Sequence, residues 1–236
     1  MSNVVDTSEL ISINVMKSYE DFLTYKEYES TGNYITVTSS NRIDVVSQPQ
    51  FQYIGYVRRP LLPSPIGDFH IEFKFIWTGD GVPSTVGLFG LSDASMYQTR
   101  EACTIADLDN TNQGLVFSCF QSSEGILRTR LASFECLMDA GGTGTGVADS
   151  TYYDIPAMNV PYWIVVTRTG FVVDCYWYTD ATHMTLARHR SFTQLAKYAD
   201  NPTLVNTYSR VYAQMSYFYG STTSVSSVII ENLLIL

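Results

Sequence analysis

Basic side chains are scarce in this sequence: 14 Lys and Arg stand against 23 Asp and Glu in 236 residues, for a formal net charge of −9. They cluster only in "VRRP" and "ARHRS". A chain without a basic stripe repels a phosphate backbone, so no nucleic-acid partner is expected. Long apolar runs are missing too. No stretch approaches the roughly 18 uninterrupted apolar residues of a membrane helix, so no membrane partner is expected either. The opening "MSNVVDTSEL" has neither the basic nor the apolar region of a signal peptide. The one Asn-x-Thr match, at Asn201, carries the forbidden proline. The expectation is synthesis in a cytoplasm without a signal peptide.

Cysteine is sparse and badly spaced for chemistry. Cys103, Cys119, Cys136 and Cys175 form no C-x-x-C pair, which removes the zinc and redox motifs. They read as buried thiols, with a Cys119–Cys136 bridge between neighbouring strands as the alternative. A chain of this size buries roughly 70% of its unfolded surface and needs no covalent staple. A 3.6-residue apolar period is also lacking, apart from short turns at "SYEDFLTY" and "FTQLAKYADNP".

What is present is strict alternation. In "FHIEFKFIW", Phe69, Ile71, Phe73, Phe75 and Trp77 fall on one face and His70, Glu72 and Lys74 on the other, which defines a half-buried strand. "YWIVVTRTGFVVDCYWYTD" reads as a hairpin turning at "TRTG", bulky on both faces and therefore central in its sheet. Similar runs recur to a total of roughly ten to twelve strands, separated by Gly, Pro, Ser, Asp and Asn clusters. Strands without intervening helices predict an all-β, antiparallel sandwich or barrel as one domain. The proline-rich residues 58–67 and glycine-rich residues 139–150 read as surface loops.

Four stretches carry a family likeness: "YEDFLTYKEYESTGNYITVTSSNRIDV", "GDFHIEFKF", "YWIVVTRTGFVVDCYWYTDATHMTLARHRSF" and "YGSTTSVSSVIIENLLIL". Together they resemble the concanavalin A-like lectin/glucanase superfamily, and most of all its laminin-G-like modules from phage and environmental genomes. The resemblance spans residues 19–236 and implies a two-sheet antiparallel jelly roll. It implies no single task, because the superfamily holds glucanases, lectins, adhesion modules and virion components.

Glucanases of this superfamily carry a Glu-x-Asp-x-x-Glu triplet on one strand face, since retaining hydrolysis needs two carboxyl groups roughly 5 Å apart. None is present. Glu27 with Glu29, and Asp107 with Asp109, lack an acid three residues later, and Glu135 lacks one at 137. There is no G-x-S-x-G elbow, and His70, His183 and His189 have no zinc-binding spacing. "GGTGTG" lacks the ending of a phosphate loop. These absences lead to the expectation that the chain is not an enzyme and takes no cofactor. Ca²⁺ is the one ion worth weighing, with Asp107, Asp109 and Asn110, or Asp80, as oxygen ligands.

Seventeen tyrosines remain to be explained. Their rings stack on sugars and are enriched at protein interfaces, although most rings on alternating strands serve packing. Trp163 or Trp177 reads as core wall. Tyr176, Tyr178, Tyr217 and Tyr219 are the candidate ligand-binding platform. Residues 1–17 precede the sandwich of residues 18–236, and their apolar Val4, Leu10, Ile11 and Ile13 suit an arm that pairs with a neighbouring subunit or sheet edge. The expectation is a surface or structural module, such as a phage-type virion component exposed after cytoplasmic synthesis. Its partners would be neighbouring subunits, copies of itself included, or host glycans. A free carbohydrate-binding module is the alternative.

Overall fold

The structure is a computed structural model that describes residues 19–29, 35–49, 55–60, 67–78, 85–92, 113–121, 124, 126–139, 142–194, 208, 210–217 and 225–236. Fourteen strands are described: β1 Lys26–Glu29, β2 Ile35–Ser39, β3 Arg42–Pro49, β4 Gly55–Pro60, β5 Phe69–Trp77, β6 Thr85–Ser92, β7 Gln113–Gln121, β8 Leu127–Asp139, β9 Gly142–Asp154, β10 Pro161–Thr169, β11 Val172–Tyr178, β12 Leu186–Thr193, β13 Arg210–Tyr217 and β14 Val225–Ile235. They form two seven-stranded sheets, the first ordered β1-β4-β13-β6-β7-β8-β9 and the second β12-β11-β10-β5-β14-β3-β2. Every pairing is antiparallel. The alternation predicts an antiparallel sandwich or barrel and the family resemblance implies a two-sheet jelly roll; the structure is the two-sheet sandwich.

Pleating sorts the side chains. Along β5 the odd positions from Phe69 to Trp77 are buried, while His70, Glu72, Lys74 and Ile76 face outward half-buried. The β10–β11 hairpin continues the same core face with Tyr162, Ile164, Val166, Val173, Cys175 and Trp177. Phe89, Leu91, Leu115, Phe117 and Leu131 meet them from the first sheet. Aromatic edges knit the layers together, with Phe73 at 5.1 Å from Phe117 and 5.2 Å from Phe89 between centroids. Such pairs add about 0.5–1.5 kcal/mol each beyond burial. A polar contact joins the sheets within the core: Trp177 Nε1 donates to Thr129 Oγ1 at 2.8 Å. The hairpin turns at Gly170, whose φ of +59° a residue with a Cβ reaches only with strain. A 3-10 turn, Phe22–Thr24, plugs one end with the fully buried Phe22 and is capped by Asp21.

Several expectations need correcting. The glycine-rich residues 139–150 are not a loop, because Gly142–Asp154 is β9, an edge of the first sheet paired along its length with β8. Backbone pairing to a long neighbour outweighs glycine's weak strand propensity, and the stretch alternates Gly with Thr. The helical turn expected at "SYEDFLTY" shrinks to three residues, and most of "FTQLAKYADNP" lies outside the described residues. The hairpin sits toward one side, with β5 at the centre of the sheet. Cys119 pairs in register with Thr129, seven residues along β8 from Cys136. At about 3.3 Å per residue that separation far exceeds the roughly 7 Å a disulfide spans between Cα atoms.

Cys175 is a buried free thiol, pushed well above its ordinary pKa by burial and then by the neighbouring Asp174. Since the thiolate is the reactive form, Cys175 is expected to resist iodoacetamide in the native protein and to react once urea unfolds it. Peptide mass spectrometry reads this directly; rapid native labelling of Cys175 would show that the core side of β11 is open.

Candidate functional site

The outer face of the second sheet carries what the core face excludes. Strand register sets one row straight across five strands: Tyr178 of β11, Trp163 of β10, Lys74 of β5, Glu231 of β14 and Arg42 of β3. The next row pairs His189, Tyr176, Val165 and Glu72, and the third Ser191, Asp174, Thr167 and His70. Parity explains the membership: on β3, β5, β10, β11 and β14 each of these residues lies one position from a buried neighbour, and the β12 residues follow from their register with β11.

The charges in the first row are linked. Glu231 accepts from Lys74 Nζ at 2.5 Å and from Arg42 Nη1 at 3.1 Å. Asp44 takes the other side of Arg42 at 2.8 Å and, through that hydrogen bond, raises the guanidinium above its ordinary value. Lys74 also hangs 6.0 Å over the Trp163 ring. His70 bonds Glu72 at 2.7 Å and His189 bonds Asp174 at 2.8 Å.

An aromatic strip starts along the second row, crosses to the first on β11 and ends in the loop that follows. His189 stacks on Tyr176 at 4.3 Å and 6°, Tyr176 on Tyr178 at 6.4 Å, and Tyr178 on His183 at 4.9 Å. Burial, then the adjacent Asp174, raises the Tyr176 phenol, so it stays a neutral hydrogen-bonding group.

Beside the strip opens a cleft of about 250 Å³, lined by Tyr19, Glu72, Lys74, Trp163, Thr182, His183 and Asn232 among others. The loop between β11 and β12 forms one wall, and Asp180 organises it. Its Oδ1 accepts from Thr182 N at 2.9 Å, Met184 N at 3.3 Å and the Thr182 hydroxyl, and its Oδ2 accepts from Thr185 N at 2.6 Å. His183 and Asn232 both sit at φ +56°. Two of the three non-glycine residues with positive φ among those described therefore line this cleft, and backbone strain of this kind concentrates where structure serves a site.

The Thr182 bond first, then those from Thr185 and Met184, hold the Asp180 carboxyl far below the usual carboxylate range. A depressed pKa contributes stability above the unfolded value, about 3.9, which is lost only as pH falls toward the folded value. The loop is thus expected to stay ordered through mildly acid solution. Asp180→Ala should strip hydrogen-exchange protection from the Thr182 and Thr185 amides while β10 keeps its own. Unchanged protection in that variant would show that the backbone alone holds the loop.

Tyr176 and Tyr178 are together on this face. Tyr217 ends β13 in the opposite sheet, and Tyr219 lies outside the described residues, so the four do not form one described platform. Trp177 is core wall; Trp163 is not, and it floors the cleft instead. Parity carried the signal, since Trp163 alternates in phase with Thr167. Lys74 and Glu72 were legible only as a solvated face, because their neighbours come from β14 and β3. Asp107, Asp109, Asn110 and Asp80, with Val4, Leu10, Ile11 and Ile13, fall outside the described residues. Among the described residues no group of three or more His, Cys, Asp or Glu could hold a metal ion, and no helix is long and apolar enough to cross a membrane.

Comparison with solved structures finds the same two-sheet sandwich in lectin-like and alginate lyase proteins. Alginate lyase Aly36B superposes with TM-score 0.55 at 11% identity, covering 94% of this chain and 93% of its own. The legume lectin-like domain from Entamoeba histolytica superposes with TM-score 0.54 at 12% identity, covering 100% and 99%. The PL-14 alginate lyase from Aplysia kurodai gives 0.54 at 13%, covering 91% of each chain. No family model and no curated protein matches the sequence. Identities this low establish the shared fold and nothing finer.

These neighbours correct one expectation. The missing hydrolytic carboxylates predict a non-enzymatic chain, yet the same sandwich serves alginate lyases. A lyase is not a hydrolase, so the absent triplet removes one reaction class and leaves catalysis open.

Proposed function

We propose that this protein recognises carbohydrate, holding a segment of a glycan chain across the outer face of the second sheet with one sugar seated in the Trp163 cleft. The row Tyr178–Trp163–Lys74–Glu231–Arg42 carries the reading, because it sets aromatic faces beside a linked series of hydrogen-bonding charges. Rings supply apolar surface to a sugar's C–H face, and fixed polar groups orient its hydroxyls. Lectin-like and alginate-acting neighbours with this fold support the choice of ligand class. A second reading, cleavage of the bound chain, is favoured by Glu72, Lys74 and His183 lining the same cleft, since these groups can donate or accept protons.

The setting we propose is a module displayed on the surface of a larger assembly, as in virion components, with glycan on one side and neighbouring subunits on the other. Its support is the sequence resemblance and the apolar residues at positions 4, 10, 11 and 13. One experiment addresses ligand and chemistry together: titration with neutral and acidic oligosaccharides, followed by tryptophan fluorescence, with each mixture then assayed for new reducing ends and new carbon–carbon double bonds. Binding without products supports recognition alone, and products support cleavage. Neither binding nor products across both sugar classes would reject the carbohydrate reading.

A further inference from the structure

A second cleft, about 190 Å³, opens at the seam of the sandwich between Tyr152, Tyr153 and Asp154 of β9 and Arg188 of β12. These strands are edges of opposite sheets. Arg188 pairs in register with the buried Trp177, so it enters from the inner side of its edge, whereas His189 next to it joins the outer aromatic strip. The two clefts therefore use different faces of β12.

The seam cleft is unbalanced in charge. Asp154 is engaged by Arg128, whose Nε lies 2.7 Å from its Oδ1. Arg188 has no ion pair among the described residues, and its Nε is buried with no hydrogen-bond partner. An arginine in that state lacks the acceptor its fork geometry suits. Beside it Tyr152 is 52% exposed, and Arg128 lies over its ring at 5.1 Å, so a cation backs the ring.

We propose that this seam cleft binds the carboxylate-bearing residue of an acidic glycan, the Arg188 guanidinium taking the carboxylate and the Tyr152 ring taking the apolar face of the sugar. The carbohydrate reading above supplies only the ligand class; none of the residues is shared with the Trp163 cleft. A bare phosphate or sulfate would satisfy Arg188 but leave the Tyr152 ring unused.

The test uses the full chain, ¹⁵N-labelled, with a galacturonic acid trimer and the neutral galactose trimer as probes. The acidic trimer is expected to shift the amides of residues 152–154 and 188, and the neutral trimer to leave them in place. Arg188→Gln should weaken acidic-trimer binding about tenfold or more, as loss of a charge-assisted hydrogen bond does. Tyr152→Ala, at an exposed position, should weaken it severalfold. If Arg188→Gln lowers the melting temperature, Arg188→Lys keeps the charge without the fork and should still weaken binding severalfold. Parent-like affinity in these Arg188 variants, absence of shifts at residues 152–154 and 188, or displacement of the trimer by equimolar acetate would each overturn the assignment. Trp163→Ala separates the two readings: seam shifts that persist in that variant keep this proposal whatever the outer face does, whereas parent-like binding at the outer face in it would remove the Trp163 reading alone.

Discussion

Replacing Trp177 with alanine is expected to cost about 3–5 kcal/mol, the range for deleting a large buried aromatic. The side chain is fully buried and packs on Phe117 at 6.2 Å and Tyr153 at 5.7 Å. Its indole N–H also satisfies the buried Thr129 hydroxyl. Set against a typical total of about 5–15 kcal/mol, the loss should lower the melting temperature by roughly 10 °C or more. Trp177→Phe keeps most of the volume and drops the hydrogen bond, so it should cost about 1–3 kcal/mol. Urea midpoints of the two variants check this ordering. If the alanine variant unfolded with the parent, Trp177 would not be holding the two sheets together.

Trp163→Ala is expected to do the reverse. Its ring is half-buried on the outer face and floors the cleft under Lys74. Stability should change by about 1 kcal/mol, because the residue is outside the core. Oligosaccharide affinity should fall about tenfold to a hundredfold, as removal of an aromatic contact surface costs in apolar area and ring geometry. Calorimetric titration of variant and parent with one oligosaccharide measures the difference. Equal affinities would place the ligand elsewhere on the protein.

The opposite fates of these two tryptophans show what was legible in the sequence. Trp163 lies between Tyr162 and Ile164 and Trp177 between Tyr176 and Tyr178, and composition cannot tell them apart. Period-2 parity can: Trp177 alternates in phase with Val173 and Cys175, and Trp163 with Thr167. The same parity made β5 readable to the residue. It could not reveal the cleft, whose lining gathers Lys74, Trp163, His183 and Asn232 from segments up to 158 residues apart in a register that only long-range pairing sets. The Asp180 loop left a local trace, since Asp followed two residues later by Thr is a turn signature. The strand β9 left a weaker one, because its pairing is made by backbone groups that do not depend on side-chain identity.

The position of β14 bears on how the chain reaches this state. It lies between β5 and β3, the nearest of which precedes it by about 150 residues. Until β14 arrives, those two strands present open backbone edges flanking a gap in the sheet. Contacts that distant in sequence form slowly, because the loop entropy is lost before the pairing is gained. The vulnerable species on the folding path is therefore a nearly complete sandwich with a missing interior strand. Such an opening accepts an extended segment of another chain as readily as its own, and crowded or hurried synthesis would favour exchanged and aggregated forms over the monomeric sandwich.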